Sequence, residues 1–195
     1  MTTLYFVRHA QSDWRSGPDR ERGLTAEGRE DAHVVLEFLR DKQVDAFYCS
    51  PYRRSMDTIR EAAAFYGQAI LTDERLRERE TVPGGNCREL FEKRWADFGW
   101  HEPGGESLRS VQERNIAALT EILEANRDRT VVIGTHGTAL STILNHYDPS
   151  YDCASFMRII DWMPFVVELD FDGTRFLSRT EHVHVEKIFE QQERI

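Results

Sequence analysis

Short runs of β-branched and aromatic residues alternate along this chain with segments of helical periodicity, and that alternation limits its fold more than any other feature. Thr3 to Val7 reads as a buried strand that ends at Arg8 and His9. Thr25 is a candidate N-cap for a helix in which Ala32, Val35, Leu36 and Leu39 recur at helical spacing and which Gln43-Val44-Asp45 closes. Ala46 to Cys49 is a second strand. The following Ser50-Pro51 puts proline where the first turn of a helix accepts it, and that helix runs to about Tyr66. Ala69 to Leu71 is a weak third strand. Leu108, Val111, Leu119, Ile122 and Leu123 mark a long amphipathic helix, Thr130 to Gly134 is the most strand-like run, and another helix spans Gly137 to about His146. Val166 to Asp170 and Phe176 to Arg179, joined by Asp172-Gly173, read as a hairpin. Strands that alternate with helices over short connections predict an α/β, three-layer sandwich. Its sheet is mostly parallel, with right-handed crossovers and an antiparallel hairpin strand at one edge.

The length of 195 residues suits one domain, 1–195. The arginine- and glycine-rich stretch 79–105, with one helix expected around Glu89 to Phe98, reads as an inserted, substrate-facing segment. A net charge of −9 disfavours nucleic acid and anionic membranes as partners. None of the three lysines follows a glycine, so the chain has no Walker-type phosphate loop. Cys49, Cys87 and Cys153 lack C-x-x-C spacing, which fits a reducing compartment and makes the cytoplasm the expected location. Met1 to Val7 lacks the parts of a signal peptide, and Asp161, Glu168 and Asp170 interrupt the most apolar stretch well short of a bilayer span.

In open α/β sheets ligands bind beyond the carboxyl ends of the strands. Three such ends deliver Arg8 and His9, then Arg53 and Arg54, then His136. Brought together, these cationic and imidazole groups call for a multivalent anion between them. The planar fork of arginine suits a phosphoryl group, so the sequence predicts a phosphate pocket.

Leu4 to Ser12, L-Y-F-V-R-H-A-Q-S, resembles the R-H-G/A signature of the histidine phosphatase superfamily, which includes phosphoglycerate mutases and acid phosphatases. Leu24-Thr25-x-x-Gly28, Ser50-Pro51-x-x-Arg54, Gly105-Glu106-Ser107 and Thr135-His136-Gly137 resemble further family motifs in the family's order, over roughly residues 3 to 170. The resemblance implies a phosphoglycerate mutase-like fold, no metal or other cofactor, and a small phosphorylated substrate. It implies His9 as the nucleophile that carries the phosphoryl group, and Arg8, Arg54 and His136 as its ligands, with Gly137 beside them. Ser12 is either a further phosphate contact or a turn residue. Glu78 is implied as proton donor to the leaving oxygen, with Glu80 as the competing carboxylate. Ala10, Gln11, Arg15 and Asp57 depart from residues common in the family or its mutases, and none of these departures removes a core catalytic group. Arg15 and the short stretch between Glu78 and Glu106 weaken a mutase reading and favour water as the final acceptor.

The expected function is therefore metal-independent phosphomonoester hydrolysis through phospho-His9. A phosphoglycerate mutase-like transferase and a weakly catalytic phosphate-binding or protein-recognition module are the alternatives. The remaining candidates have plainer readings. Arg53 reads as a solvated helix-start residue and Cys49 as a small buried hydrophobe. Trp14, Trp95, Phe98 and Trp100 line a substrate mouth or, more commonly for such residues, pack in a core. His182 and His184 share a strand face, as an edge-strand pair rather than the start of a metal site. The apolar segment Phe156 to Phe165 is either core or interface, and oligomeric state is open.

Overall fold

The computed structural model describes residues 1–188. Six strands form one sheet: β1 (Thr2–Arg8), β2 (Ala46–Cys49), β3 (Ile70–Thr72), β4 (Thr130–Thr135), β5 (Trp162–Asp172) and β6 (Arg175–Glu186), in the order β3-β2-β4-β1-β5-β6. β3, β2, β4 and β1 run parallel, while β5 is antiparallel to β1 and β6 to β5. The antiparallel part is thus larger than a single edge strand. The hairpin strands are 11 and 12 residues long, and β5 lies inside the sheet against β1. Charged residues along the exposed β6 mask its length in the sequence. The turn between the strands has Gly173 at φ 61°, a left-handed conformation that glycine adopts without a Cβ penalty.

Helices α1 (Ala26–Leu39), α2 (Arg53–Phe65), α3 (Arg88–Ala96), α4 (Leu108–Ala125), α5 (Gly137–Tyr147) and α6 (Cys153–Arg158) flank the sheet. The expected cap is formed, Thr25 Oγ1 accepting from Gly28 N at 2.8 Å, and Ser107 Oγ caps α4 in the same way by accepting from Ser110 N at 3.1 Å. Pro51 stands before α2 rather than in its first turn, because Tyr52, in extended conformation, is the N-cap. The apolar residues divide into two main clusters. One gathers Leu4, Phe6, Leu119, Ile133 and Leu140, and the other Tyr5, Val7, Val35, Phe47 and Ile59, so β1 supplies alternate side chains to both faces of the sheet. Phe156, Ile159 and Phe165 are buried in the first cluster, which settles that segment as core. α6 carries no periodicity long enough to be read from sequence.

His182 and His184 do not share a face, as an uninterrupted strand would require. Register shifts along the β5–β6 pairing intervene, and the ring of His182 meets Tyr5 and Phe38 while that of His184 stacks on Trp162 at 3.7 Å. Segment 79–105 holds α3 and is pinned at its ends by a buried ion cluster. Arg79 Nη2 donates to Glu102 Oε1 at 2.8 Å, and Arg94 donates to both Glu102 oxygens at 3.0 and 3.2 Å. Among the described residues no helix is long and apolar enough to cross a membrane.

Candidate active site

Three parallel strands end side by side. β1 stops at Arg8, β2 at Cys49 and β4 at Thr135, and the next residues of each carry the polar groups. Backbone bonds fix the turn: His9 N donates to Thr135 O at 3.1 Å and Ser50 N donates to Gly134 O at 3.0 Å. Thr58, on α2, locks the loop to that helix by accepting from Ala10 N at 3.0 Å and donating to Arg54 O at 2.7 Å. Gly134 permits the close approach, since a Cβ there would come within 2.5 Å of Cys49 Sγ.

His9 is buried, and its Nδ1 lies 2.7 Å from Ala10 O. A carbonyl only accepts, so Nδ1 carries the ring proton and Nε2 has the lone pair, into which Arg54 Nε donates. Arg54 Nε sits 3.2 Å from that Nε2. Burial, followed by the charges of Arg54 and Arg8, holds the His9 imidazole well below its ordinary pKa, so the ring is neutral at physiological pH.

The ring centroid of His136 lies 5.2 Å from that of His9, and its other edge meets Tyr52 at 5.0 Å. Its Nε2 is 2.7 Å from Ser50 Oγ, while Nδ1 is buried with no hydrogen-bond partner among the described residues. Burial, with Arg54 and His9 adding to it, pushes this imidazole down as well. Arg8 donates from Nη1 to Ile159 O at 2.5 Å and from Nη2 to Ile160 O at 2.8 Å, and its Nε is buried and unpartnered among the described residues. Burial lowers its pKa to about 10, which leaves it charged at neutral pH. Gly137, the first residue of α5, lies against this guanidinium; a Cβ there would stand 3.1 Å from Cζ of Arg8.

Glu78 follows a short 3-10 turn (Glu74–Leu76) and is caught by the N-terminus of α5. Its Oε1 accepts from Ala139 N at 3.0 Å and Arg79 N at 2.8 Å, and its Oε2 accepts from Thr138 N at 3.0 Å. Its charge is felt at both Arg8 and Arg54. Glu80, by contrast, points outward to Arg77 at 3.4 Å. The structure therefore brings Glu78 to the site and leaves Glu80 outside it.

Ser12 forms an isolated antiparallel bridge with Leu24, closing the loop between β1 and α1. Arg53 is exposed and pairs with Asp57 at 3.4 Å. Cys49 is fully buried, and burial raises its thiol to about 12, so it is inert. Trp95 packs on Tyr151 and Phe156, whereas Trp14 is exposed. A cavity of about 410 Å³ between α1, α2 and the Asp13–Leu24 loop is lined by Arg29, Arg53 and Asp57 but by none of Arg8, His9, Arg54 or His136.

Sequence reasoning missed several participants. Ser50 and the Ile159 and Ile160 carbonyls orient His136 and Arg8, and backbone acceptors leave no signature in side-chain chemistry. Arg22 and Asp19 also reach the site, since Asp19 pairs with both Arg22 and Arg54. Arg22 immediately precedes the Gly23-Leu24-Thr25 helix start, and that adjacency was the one available signal.

Two neutral imidazoles and two buried guanidiniums thus converge at the strand ends, with Glu78 beside them on the N-terminus of α5, a set of groups suited to holding a multivalent anion. The family model of the histidine phosphatase superfamily (branch 1) matches residues 4–176, and the chain belongs to that family. The chain is 31% identical over 151 residues to phosphoserine phosphatase 1 of Hydrogenobacter thermophilus, covering 70% of this chain and 71% of that one. A probable phosphoglycerate mutase GpmB of Yersinia enterocolitica is 28% identical, with 74% of each chain covered. Among solved structures, Bacillus stearothermophilus YhfR superposes with a TM-score of 0.74 at 26% identity, over 91% of this chain and 95% of that one.

Proposed function

We propose that this protein hydrolyses small phosphomonoesters through a phosphohistidine on His9, with Glu78 as the acid and then the base. The observation that carries this reading is the His9 tautomer: Nδ1–H held by Ala10 O at 2.7 Å leaves Nε2 unprotonated beside Arg54. In the first step Nε2 attacks phosphorus, the bond to the leaving oxygen breaks, and Glu78 gives that oxygen its proton. Both lone pairs of Glu78 Oε1 are taken by backbone N–H groups, whereas Oε2 accepts one bond among the described residues and keeps a position for the proton. With Nε2 phosphorylated and Nδ1 still protonated the ring is cationic, and the Ala10 carbonyl supports that charge. In the second step water attacks phosphorus, Glu78 takes its proton, and the nitrogen–phosphorus bond breaks to release phosphate and neutral His9.

Arg8, Arg54 and His136 bind the phosphoryl oxygens, on which charge spreads in the transition state, and Gly137 leaves room for Arg8. These guanidiniums supply the positive charge that other phosphatases draw from metal ions, which supports a metal-independent reaction. Ser12 lies at the loop that borders the site and remains a candidate phosphate contact. We read the chain as one domain, with 79–105 as an inserted, substrate-facing segment, and its expected location is the cytoplasm. The names of the relatives put phosphoserine and 3-phosphoglycerate first among substrates to try.

The test is hydrolysis of an aryl phosphate by wild type and His9→Ala with excess chelator present. Chelator-resistant turnover that is lost in the variant, with acid-labile phosphate trapped on wild-type protein, is expected. Turnover that survives His9→Ala refutes the reading. Phosphoryl transfer to added phosphoglycerate faster than to water points instead to a mutase.

A further inference from the structure

The site holds a carboxylate that the hydrolytic scheme does not use. The Asp19 side chain stands between two guanidiniums: Oδ1 is 3.2 Å from Arg54 Nη1 and is also paired with Arg22 Nη2. Arg54 in turn touches His9 Nε2, so the carboxylate is one guanidinium away from the nucleophilic nitrogen. Arg22 belongs to the same cationic group. Its charge is felt at His9, it is repelled by Arg54, and its Nε is buried without a hydrogen-bond partner among the described residues.

We propose that Asp19 is an internal surrogate for the phosphoryl group, which the substrate displaces from Arg22 and Arg54, and that Arg22 is thereby a third arginine ligand of that group. This rests on the reading of the site as a phosphoryl-transfer centre. Arg54 does not need the carboxylate for its position, because its Nη1 also donates to the backbone carbonyl of Asp19 at 2.5 Å. The side chain can leave without disturbing that bond. It is 41% exposed, and it follows Gly17 and Pro18 in a loop outside the helices and strands. A phosphoryl dianion carries more charge and more acceptor oxygens than a carboxylate, so it competes well for two guanidinium forks. Rotation of Asp19 into solvent frees the Arg22 and Arg54 donors together. No bond is made or broken in the exchange, which swaps one anion for another.

The experiment is calorimetric titration of inorganic phosphate into wild type, Asp19→Asn, Arg22→Gln and the double variant, with thermal melts to confirm folding. Removing the internal competitor is expected to tighten phosphate binding by roughly 3–10-fold, and losing one charge-assisted donor to weaken it by on the order of 10–100-fold. The gain from Asp19→Asn is expected to shrink when Arg22 is absent. In turnover of an aryl phosphate, Asp19→Asn should lower KM. Asp19→Ala repeats the measurement without an amide that can bond to the arginines. The proposal is overturned if both Asp19 variants bind phosphate more weakly or no more tightly than wild type, as a purely positioning role requires. It is equally overturned if Arg22→Gln stays within twofold of wild type. Because the titration needs no turnover, an inactive wild type would refute the hydrolase reading and still leave these outcomes decisive.

Discussion

Replacing Ser50 with alanine removes the group that orients His136. The hydroxyl sits 2.7 Å from His136 Nε2 and also accepts from Tyr52 N at 3.3 Å, at a position with no solvent exposure. His136 Nδ1 is already unpartnered among the described residues, so the variant leaves a buried imidazole with neither nitrogen satisfied. An unsatisfied buried polar group costs about 1–3 kcal/mol. For a chain of this size each kcal/mol lowers Tm by roughly 2–4 °C, so the expected drop is about 2–12 °C. Activity should fall further than stability. The Ser50 hydroxyl can donate to Nε2 and so keep the proton on Nδ1, the nitrogen left to face a phosphoryl oxygen. Losing that donor should cost on the order of 10²–10³ in kcat/KM toward an aryl phosphate, measured well below the melting range. Ser50→Thr keeps the hydroxyl and should recover much of the loss. Wild-type kcat/KM in Ser50→Ala, within a factor of two, would show that His136 needs no orienting partner and would refute the reasoning.

Three further outcomes follow from the geometry. His9 and His136 are neutral in the fold and have pKa values below that of an unfolded imidazole, so the unfolded chain binds more protons in acid. Their contribution to stability is complete above about pH 6.5 and is lost as pH falls below it; the urea midpoint should decline between pH 7.5 and 5, and less steeply in a variant with both residues changed to Gln. Burial alone would raise the Glu102 pKa, but a bond from its own backbone N–H, then bonds from Arg79 and Arg94, outweigh it and hold the carboxyl at about 2. Glu102→Gln therefore strands two buried guanidiniums at a cost of about 3–5 kcal/mol, and limited proteolysis should cut within 79–105 first, a result that cleavage elsewhere would contradict. Finally, a Cβ on Gly28 would meet the Gln11 carbonyl at 2.2 Å. Gly28→Ala should lower both Tm and activity by pushing the loop after His9 off α1, despite the better helix propensity of alanine.

Local signals carried most of what the sequence revealed. Thr25 announces α1 by side-chain chemistry and the apolar spacing from Leu108 to Leu123 announces α4, and the strand ends at Arg8, Cys49 and Thr135 follow from β-branched runs stopping at polar residues. The choice between Glu78 and Glu80 could not be made that way, because two carboxylates two residues apart in an irregular segment differ only in what lies across from them. The N-terminus of α5, 60 residues further on, holds Glu78 beside Arg8 and Arg54 and so supports the proposal that it is the acid. The length of β5 and β6, the bulges that separate His182 from His184 and the Asp19–Arg54 contact likewise depend on partners distant in the chain.

The carbonyls of Ile159 and Ile160 that clasp Arg8 also bear on how the protein is made. The acceptors of Arg8 are synthesised 151 and 152 positions after it, and β1 gains its β5 neighbour only with residues 165–171. A ribosome must therefore pass both segments before the candidate site is complete, and a chain released earlier carries His9 without the frame that aims Arg8 beside it. Competence waits for the 151 and 152 positions that separate Arg8 from these carbonyls.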